Sequence, residues 1–135
     1  MISNDAFYAT VGMLPFCEFC KAEGKQEYAR YDFRVKNADV WRAGCVAHFQ
    51  EHAMFNVLGE GKGMVLCIPR PGSMIGNRVQ LMPMAKRAVY KPTYLFVVDE
   101  DNHGWEGLGL SDRGQPTNAT IFPYQKNLWR DVRAR

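Results

Sequence analysis

The sequence predicts an α+β protein, in which a small cysteine-containing module precedes a β-rich segment. Two short cysteine motifs flank a stretch of alternating polar and apolar residues, which is typical of a strand. The second motif opens a stretch without glycine or proline in which apolar residues recur at helical spacing. Beyond it, short β-branched and aromatic runs are separated by turn-forming residues, which favours antiparallel strands.

The chain of 135 residues is long enough to bury one hydrophobic core. We therefore expect a single compact domain over residues 1–135. Its predicted parts are a module at 14–60, a β-rich basic module at 61–124 and a basic tail or short helix at 125–135. With 47% apolar and 23% charged residues, the composition is that of a globular protein.

The first predicted elements are a tight turn and a β-hairpin. A short lead-in over residues 1–13, with one helical turn, is expected to come before them. The motif "CEFC" at 17–20 lies between Pro15 and Gly24, both turn formers. Residues 27–44 alternate in polarity and carry the turn sequence "KNAD", so two antiparallel strands are predicted there.

A helix of about three turns is predicted over residues 45–58, because its apolar residues share one face and Gly59 follows as a C-terminal signal. After it, five short runs predict a small antiparallel sheet or a partly open barrel. These runs are "MVLCIP", "RVQLM", "TYLFVV", "GWEGLGL" and "ATIF". The tail at 125–135 alternates apolar and basic residues at a spacing that predicts a short C-terminal helix.

The spacing of cysteine and histidine predicts a metal site. Cys17 and Cys20 can both point inward from one tight turn, and Cys45 and His48 lie on one face of a helix first turn. Four ligands of these types suit one tetrahedral Zn²⁺. A knuckle, a hairpin and a helix that supplies the closing pair is the layout of a treble-clef module. Because protein fills all four positions, we expect a structural zinc ion.

Two residues leave alternatives open. His52 lies four residues after His48 on the same helix face, so it could replace His48 as a ligand or orient it. His48 is preferred because it is nearer Cys45. Cys67 lies in an apolar run and is predicted to be a core thiol, since buried cysteine behaves as a small hydrophobe.

The segment between residues 61 and 98 contains no carboxylate although the whole chain has a net charge of only +3. Interleaved cations and aromatic residues suit phosphate neutralisation and base stacking. The alternatives are that these cations are only the solvent face of the strands, or that they meet an acidic protein. The six cations are Lys62, Arg70, Arg78, Lys86, Arg87 and Lys91.

Other chemistry finds little support in the sequence. The segment "GEGKG" at 59–63 lacks the spacing and the Ser or Thr of a phosphate-binding loop. The predicted hairpin contains no histidine, so the general base of a metal-dependent nuclease is missing. We therefore expect no enzymatic activity and no small-molecule substrate. No apolar run approaches the roughly 18 residues of a membrane helix, and no basic leader opens the chain, so a cytoplasmic, reducing location is expected.

The motifs "CEFC", "VWRAGCVAH" and "LGEGKGMVL", in that order, resemble a group of short phage-encoded zinc proteins. The resemblance covers about residues 17–66, and the chain departs from the group in its longer hairpin and longer C-terminal half. It implies a viral origin, a zinc ion held by the same Cys and His residues, and no assigned activity.

Together these observations predict a non-catalytic, zinc-stabilised nucleic-acid-binding accessory protein, encoded by a phage and located in the host cytoplasm or in the virion. The alternative is a phage protein-binding factor, either an inhibitor of a host or defence protein or a minor virion component, whose partner would be an acidic host protein. A metal-dependent nuclease is the third hypothesis.

Overall fold

The structure is a computed structural model that describes residues 6–81, 94–102, 104–124 and 129–131. The chain forms two compact units, Met1–Ile68 and Pro69–Arg135, and each contains its own β-sheet. The predicted α+β class is confirmed, with two small sheets and few helices among the described residues. In these residues no helix is both long enough and apolar enough to cross a membrane.

The first unit contains a four-stranded sheet and two short helices. The strand order is β1-β4-β2-β3, with β1 parallel to β4 and the other neighbours antiparallel. The predicted hairpin is confirmed as strands β2 and β3. In chain order the elements are β1 (Tyr8–Thr10), α1 (Glu18–Ala22), β2 (Tyr31–Arg34), β3 (Trp41–Gly44), α2 (Val46–His52) and β4 (Gly63–Cys67).

The core of this unit lies between β2 and α2. Tyr31 and Phe33 alternate with more exposed residues along β2, as the polarity pattern predicted, and both are buried. Their rings pack on Phe49 of α2, with centroids 4.1 Å and 5.0 Å away. The hairpin turn holds Asn37 and Asp39 at positive φ, a conformation that these residue types tolerate.

Helix α2 ends at His52, so the predicted three-turn helix over residues 45–58 was too long. Ala53 adopts an extended conformation with φ −67° and ψ 134°. The amide of Met54 donates to the carbonyl of Arg34 over 2.8 Å. In a longer helix this amide would donate to the carbonyl of the residue four positions earlier in the chain. Hydrogen bonding to the end of β2 therefore outweighs the helical periodicity of the sequence.

Two further expectations in the first unit differ from the structure. The lead-in forms strand β1 instead of a helical turn, because Tyr8–Thr10 pairs with the buried strand β4. Strand β4 contains most of the run "MVLCIP" and pairs with β2, Tyr31 lying opposite Val65. It therefore belongs to the sheet of the first unit, and the two units divide after Ile68, whereas the sequence placed a boundary after residue 60.

The second unit contains a five-stranded antiparallel sheet in the order β8-β7-β6-β5-β9. This agrees with the predicted small antiparallel sheet. Strand β6 is buried along most of its length, since Leu95, Phe96, Val97 and Val98 are all at most 3% exposed. The strands are β5 (Arg78–Leu81), β6 (Tyr94–Glu100), β7 (Trp105–Leu110), β8 (Phe122–Tyr124) and β9 (Trp129–Asp131).

Two predictions near the C-terminus were wrong in the described residues. Residues 129–131, placed in a short C-terminal helix, form strand β9, which pairs with β5. Pairing with an available sheet edge satisfies backbone groups that a short isolated helix would leave exposed. The run "ATIF" was placed in a strand, but β8 begins only at Phe122. The amide of Thr120 donates instead to the side chain of Asn118 over 2.8 Å.

Candidate metal centre

The N-terminal ends of α1 and α2 supply the four side chains of the candidate metal centre. Cys17 immediately precedes α1 and Cys20 lies within it, so the predicted tight turn is a turn followed by a short helix. The amide of Cys20 donates to the sulfur of Cys17 over 3.4 Å, which fixes the two thiols relative to each other. Cys45 immediately precedes α2, and His48 lies in its first turn.

The candidate ligand atoms of Cys17, Cys20, Cys45 and His48 all lie within 4.8 Å of one another. The sulfurs of Cys20 and Cys45 are 3.8 Å apart. Two sulfurs bound at about 2.3 Å to a tetrahedral Zn²⁺ would be about 3.8 Å apart, whereas a disulfide requires about 2.05 Å. The structure thus brings together the four predicted ligands, in an arrangement compatible with a single zinc site.

His48 and His52 have different surroundings. Atom Nδ1 of His48 is 3.2–3.4 Å from the three sulfurs, and its Nε2 is 3.2 Å from Oε2 of Glu23. The Nε2 of His52 lies 3.4 Å from Glu51, and its ring stacks on Phe19 with centroids 4.4 Å apart. His52 lies outside the cluster, so the geometry favours His48 as the fourth ligand.

Burial and mutual contacts shift the pKa values of Cys17, Cys20 and His48. Burial alone would raise the pKa of Cys17, but backbone hydrogen bonds to Cys20 and Cys45 lower it to about 7. Burial, followed by the neighbouring thiols, raises the pKa of Cys20 to about 12. Burial would lower the pKa of His48, but its contacts with Cys45, Cys17 and Glu23 raise it to about 9. Three closely spaced thiolates repel one another unless a cation neutralises them, which is what a divalent metal provides.

Burial and aromatic packing shield part of the cluster from water, whereas Cys45 is half-buried. Cys17 and Cys20 are only 0% and 4% exposed. The ring of Phe19, between these two cysteines in sequence, stacks on the ring of His48 at 5.5 Å and on Phe33 at 6.0 Å. The four side chains therefore sit beside the core of the first unit, where their positions are fixed by packing. Cys67, predicted to be a core thiol, is buried on β4 and lies outside the cluster.

Two glutamates near the candidate metal centre were not predicted from the sequence. Glu23 contacts His48 and lies three residues after Cys20, a spacing that places both on one side of a helical turn. This spacing is the signal that could have identified it. Glu18 accepts hydrogen bonds from the backbone amide of Ala43 over 2.8 Å and from Arg42 over 3.0 Å, which joins α1 to the free side of β3. Only the three-dimensional pairing reveals that contact.

The predicted basic stretch is divided between the two units. Lys62 is exposed in the first unit, and Arg70 and Arg78 are exposed in the second. The guanidinium of Arg70 donates to the carbonyl of Glu100 over 3.1 Å, and that of Arg78 lies 4.8 Å above the ring of Tyr94. The other three predicted nucleic-acid-binding residues, Lys86, Arg87 and Lys91, lie outside the described residues.

The four side chains form a Cys₃His cluster, a set of ligand types compatible with a single zinc site. The four side chains come from the N-terminal ends of α1 and α2, so a metal ion bound to all of them would connect the two helices. A comparison of the chain with protein-family models, curated proteins and solved structures found no match. The resemblance to phage-encoded zinc proteins therefore stays a prediction.

Proposed function

We propose that this protein is a non-catalytic nucleic-acid-binding accessory protein whose first unit is stabilised by one structural Zn²⁺. The observation that carries the proposal is the cluster of Cys17, Cys20, Cys45 and His48, whose atoms have the spacing of a tetrahedral zinc site. Zinc would link the turn before α1 to the turn before α2. Free energy of metal binding would thereby become free energy of folding.

The order of elements supports a treble-clef-like module. A cysteine knuckle at α1, the β2–β3 hairpin and α2 follow one another, and the second ligand pair lies at the start of α2. In such a module the metal replaces part of the hydrophobic core that a unit of about 70 residues is too small to supply. The phage origin implied by the sequence resemblance is part of this proposal.

Exposed cations next to aromatic rings support nucleic-acid binding. Arg78 lies over the face of Tyr94, which pre-orients its guanidinium while leaving it exposed. Guanidinium groups bind phosphates in a bidentate manner, and aromatic faces stack on unpaired bases. Lys62 and Arg70 add exposed positive charge in the described part of the carboxylate-free stretch.

Zinc binding is tested by elemental analysis of the purified wild-type protein and of Cys45→Ser. We expect about one zinc per chain in the wild type, as a single four-ligand site requires, and none in the variant. Cys67→Ala is the matched control, since it removes a thiol that lies outside the cluster. Equal zinc contents in all three proteins would refute the zinc site.

Nucleic-acid binding is tested by titrating labelled single-stranded oligonucleotides at several salt concentrations. Binding should weaken as salt rises, since each single-strand phosphate contact contributes about −0.7 to the slope of log K against log salt. The triple variant Arg78→Glu, Lys86→Glu, Arg87→Glu should lose binding, because it replaces three cations by anions that repel the phosphates. The control reverses three cations outside the stretch, namely Lys21, Lys36 and Arg113. Undiminished binding by the first triple variant would contradict the proposal.

A protein-binding factor is the second candidate. It is favoured by an exposed aromatic pair, Phe16 and Tyr28, which are 46% and 58% exposed and stack with centroids 5.2 Å apart. Large apolar side chains of this kind anchor protein interfaces. A pull-down from nuclease-treated host lysate distinguishes a protein-binding factor from a nucleic-acid-binding protein. A stoichiometric protein partner together with no oligonucleotide binding would favour the protein-binding factor. Plasmid cleavage that requires magnesium would instead favour a nuclease.

A further inference from the structure

We infer that His48 binds the metal through Nδ1 and that Glu23 is the positioning residue that holds the opposite ring nitrogen. The inference deepens the proposed zinc site and rests on it. It does not depend on whether the protein binds nucleic acid.

The orientation of the imidazole ring assigns the ligand atom. Nδ1 of His48 is 3.4 Å from the sulfurs of Cys17 and Cys20 and 3.2 Å from that of Cys45. A ring flipped by 180° would direct a carbon atom at all three sulfurs. When a metal is bound at Nδ1, the ring proton is on Nε2. This N–H group then needs a hydrogen-bond acceptor.

Glu23 supplies the acceptor for that proton. Its Oε2 lies 3.2 Å from Nε2 of His48, and the imidazole is largely buried, its side chain being 12% exposed. A carboxylate that accepts from a metal-bound histidine fixes the tautomer, orients the ring and increases the basicity of the ligand nitrogen. The stack of Phe19 on His48 fixes the ring plane, and Glu23 fixes the direction in which Nδ1 points.

The position of Glu23 in the chain lets it link the turn that carries Cys20 to His48. It follows α1 directly, and its amide donates to the carbonyls of Cys20 and Phe19 over 3.0 Å and 3.2 Å. The backbone that carries Glu23 is thus anchored to the same turn that presents Cys20. The side chain of Glu23 also contacts His48, which lies 25 residues further along the chain.

A competing role for Glu23 is the ion pair with Lys25. Their charged atoms are 3.8 Å apart, and the two side chains are 69% and 51% exposed for Lys25 and Glu23 respectively. Exposed pairs of this kind contribute little to stability, because water screens them. Removing Lys25 therefore separates the two roles, since it abolishes the ion pair and leaves the contact with His48.

The experiment compares zinc dissociation constants of Glu23→Ala, Glu23→Gln and Lys25→Met with that of the wild type, measured by competition with a chelating dye. Glu27→Gln is the matched control, because it removes a charge from an exposed residue of the same segment. We expect Glu23→Ala to bind zinc about 10-fold more weakly. Glu23→Gln should lose less, since its carbonyl still accepts, and the other two variants should bind as the wild type does.

Nitrogen NMR of the zinc-loaded protein gives a readout that a purely structural role would not change. The wild type should show Nδ1 of His48 bound to metal and a proton on Nε2 that exchanges slowly with water. This exchange should accelerate in Glu23→Ala. Metal bound at Nε2, or a Glu23→Ala variant with unchanged affinity and exchange, would overturn the inference. A wild type that binds no zinc would refute the zinc site itself.

Discussion

Two histidines one helical turn apart show how burial and partners separate ligands from supporting residues. Sequence spacing places His48 and His52 on the same face of α2 and favours His48 only because it is nearer Cys45. In the structure Nδ1 of His48 faces three sulfurs, while His52 stacks on Phe19 outside the cluster. The distinction depends on the position of α1, which the sequence does not reveal.

Replacing each histidine in turn tests this assignment. His48→Ala should weaken zinc binding by more than the roughly 10- to 100-fold that loss of an outer hydrogen-bond partner causes, because it removes a ligand. His52→Ala should retain the wild-type zinc affinity, because the contacts that it loses, with Glu51 and with the rings of Phe19 and His48, involve no candidate ligand atom. Calorimetric titration with Zn²⁺ measures both, and a larger loss in the His52 variant would contradict the assignment.

Zinc affinity should fall as the pH falls. Burial raises the pKa of Cys20 to about 12, and its contacts raise that of His48 to about 9, so both groups carry protons at neutral pH in the metal-free protein. Zinc must displace these protons, and lower pH favours the protonated forms. Titrations in buffers of different ionisation heat should show the release of more than one proton per zinc. A zinc affinity that stays the same between pH 6 and 8 would contradict this prediction, because each pH unit changes the proton activity about tenfold.

At the scale of elements, glycines define where strands and helices approach closely. A Cβ added to Gly44, at the end of β3, would lie 2.8 Å from a ring carbon of Phe33 and 3.5 Å from Phe19. Gly44 lies directly before Cys45 and α2, but its φ is not positive, so no left-handed conformation requires a glycine there. The structure shows that its missing side chain makes room for the aromatic packing next to the candidate metal centre.

Gly44→Ala should therefore destabilise the first unit by about 1–3 kcal/mol, the usual penalty for overpacking a filled core. Gly12→Ala is the control, because a Cβ there would meet no atom within 4 Å. Urea unfolding of the zinc-loaded proteins measures both. Equal midpoints for the two variants would show that the ring of Phe33 moves aside without cost.

The same scale shows what local sequence patterns predict. The alternation along β2 and β3 reflects burial on one face, so the hairpin was predicted correctly. The patterns fail where pairing partners decide the outcome. Strands β1 and β9 form because each pairs with a strand distant in sequence, β4 and β5 respectively, and α2 is cut short by hydrogen bonds to β2.

At the scale of the whole molecule, the four predicted metal ligands come from spacing alone, because zinc imposes its geometry on short motifs. The three-residue spacing from Cys20 places Glu23 near the cluster, but its contact with His48 also depends on the relative position of α1 and α2, which the sequence does not give. The basic stretch was predicted as one feature of sequence, but its described residues belong to two units. The triple charge reversal of Arg78, Lys86 and Arg87 tests the contribution of the cations that belong to the second unit.

The central claim is a closed Cys₃His zinc centre, and zinc K-edge X-ray absorption of the wild-type protein tests it most directly. The fit should give three sulfurs at about 2.3 Å and one nitrogen at about 2.0–2.1 Å, with no further ligand. The same fit should change to two sulfurs, or lose its zinc signal, in Cys45→Ser. Two sulfurs and two nitrogens in the wild type, or a shell of oxygen ligands, would contradict the account.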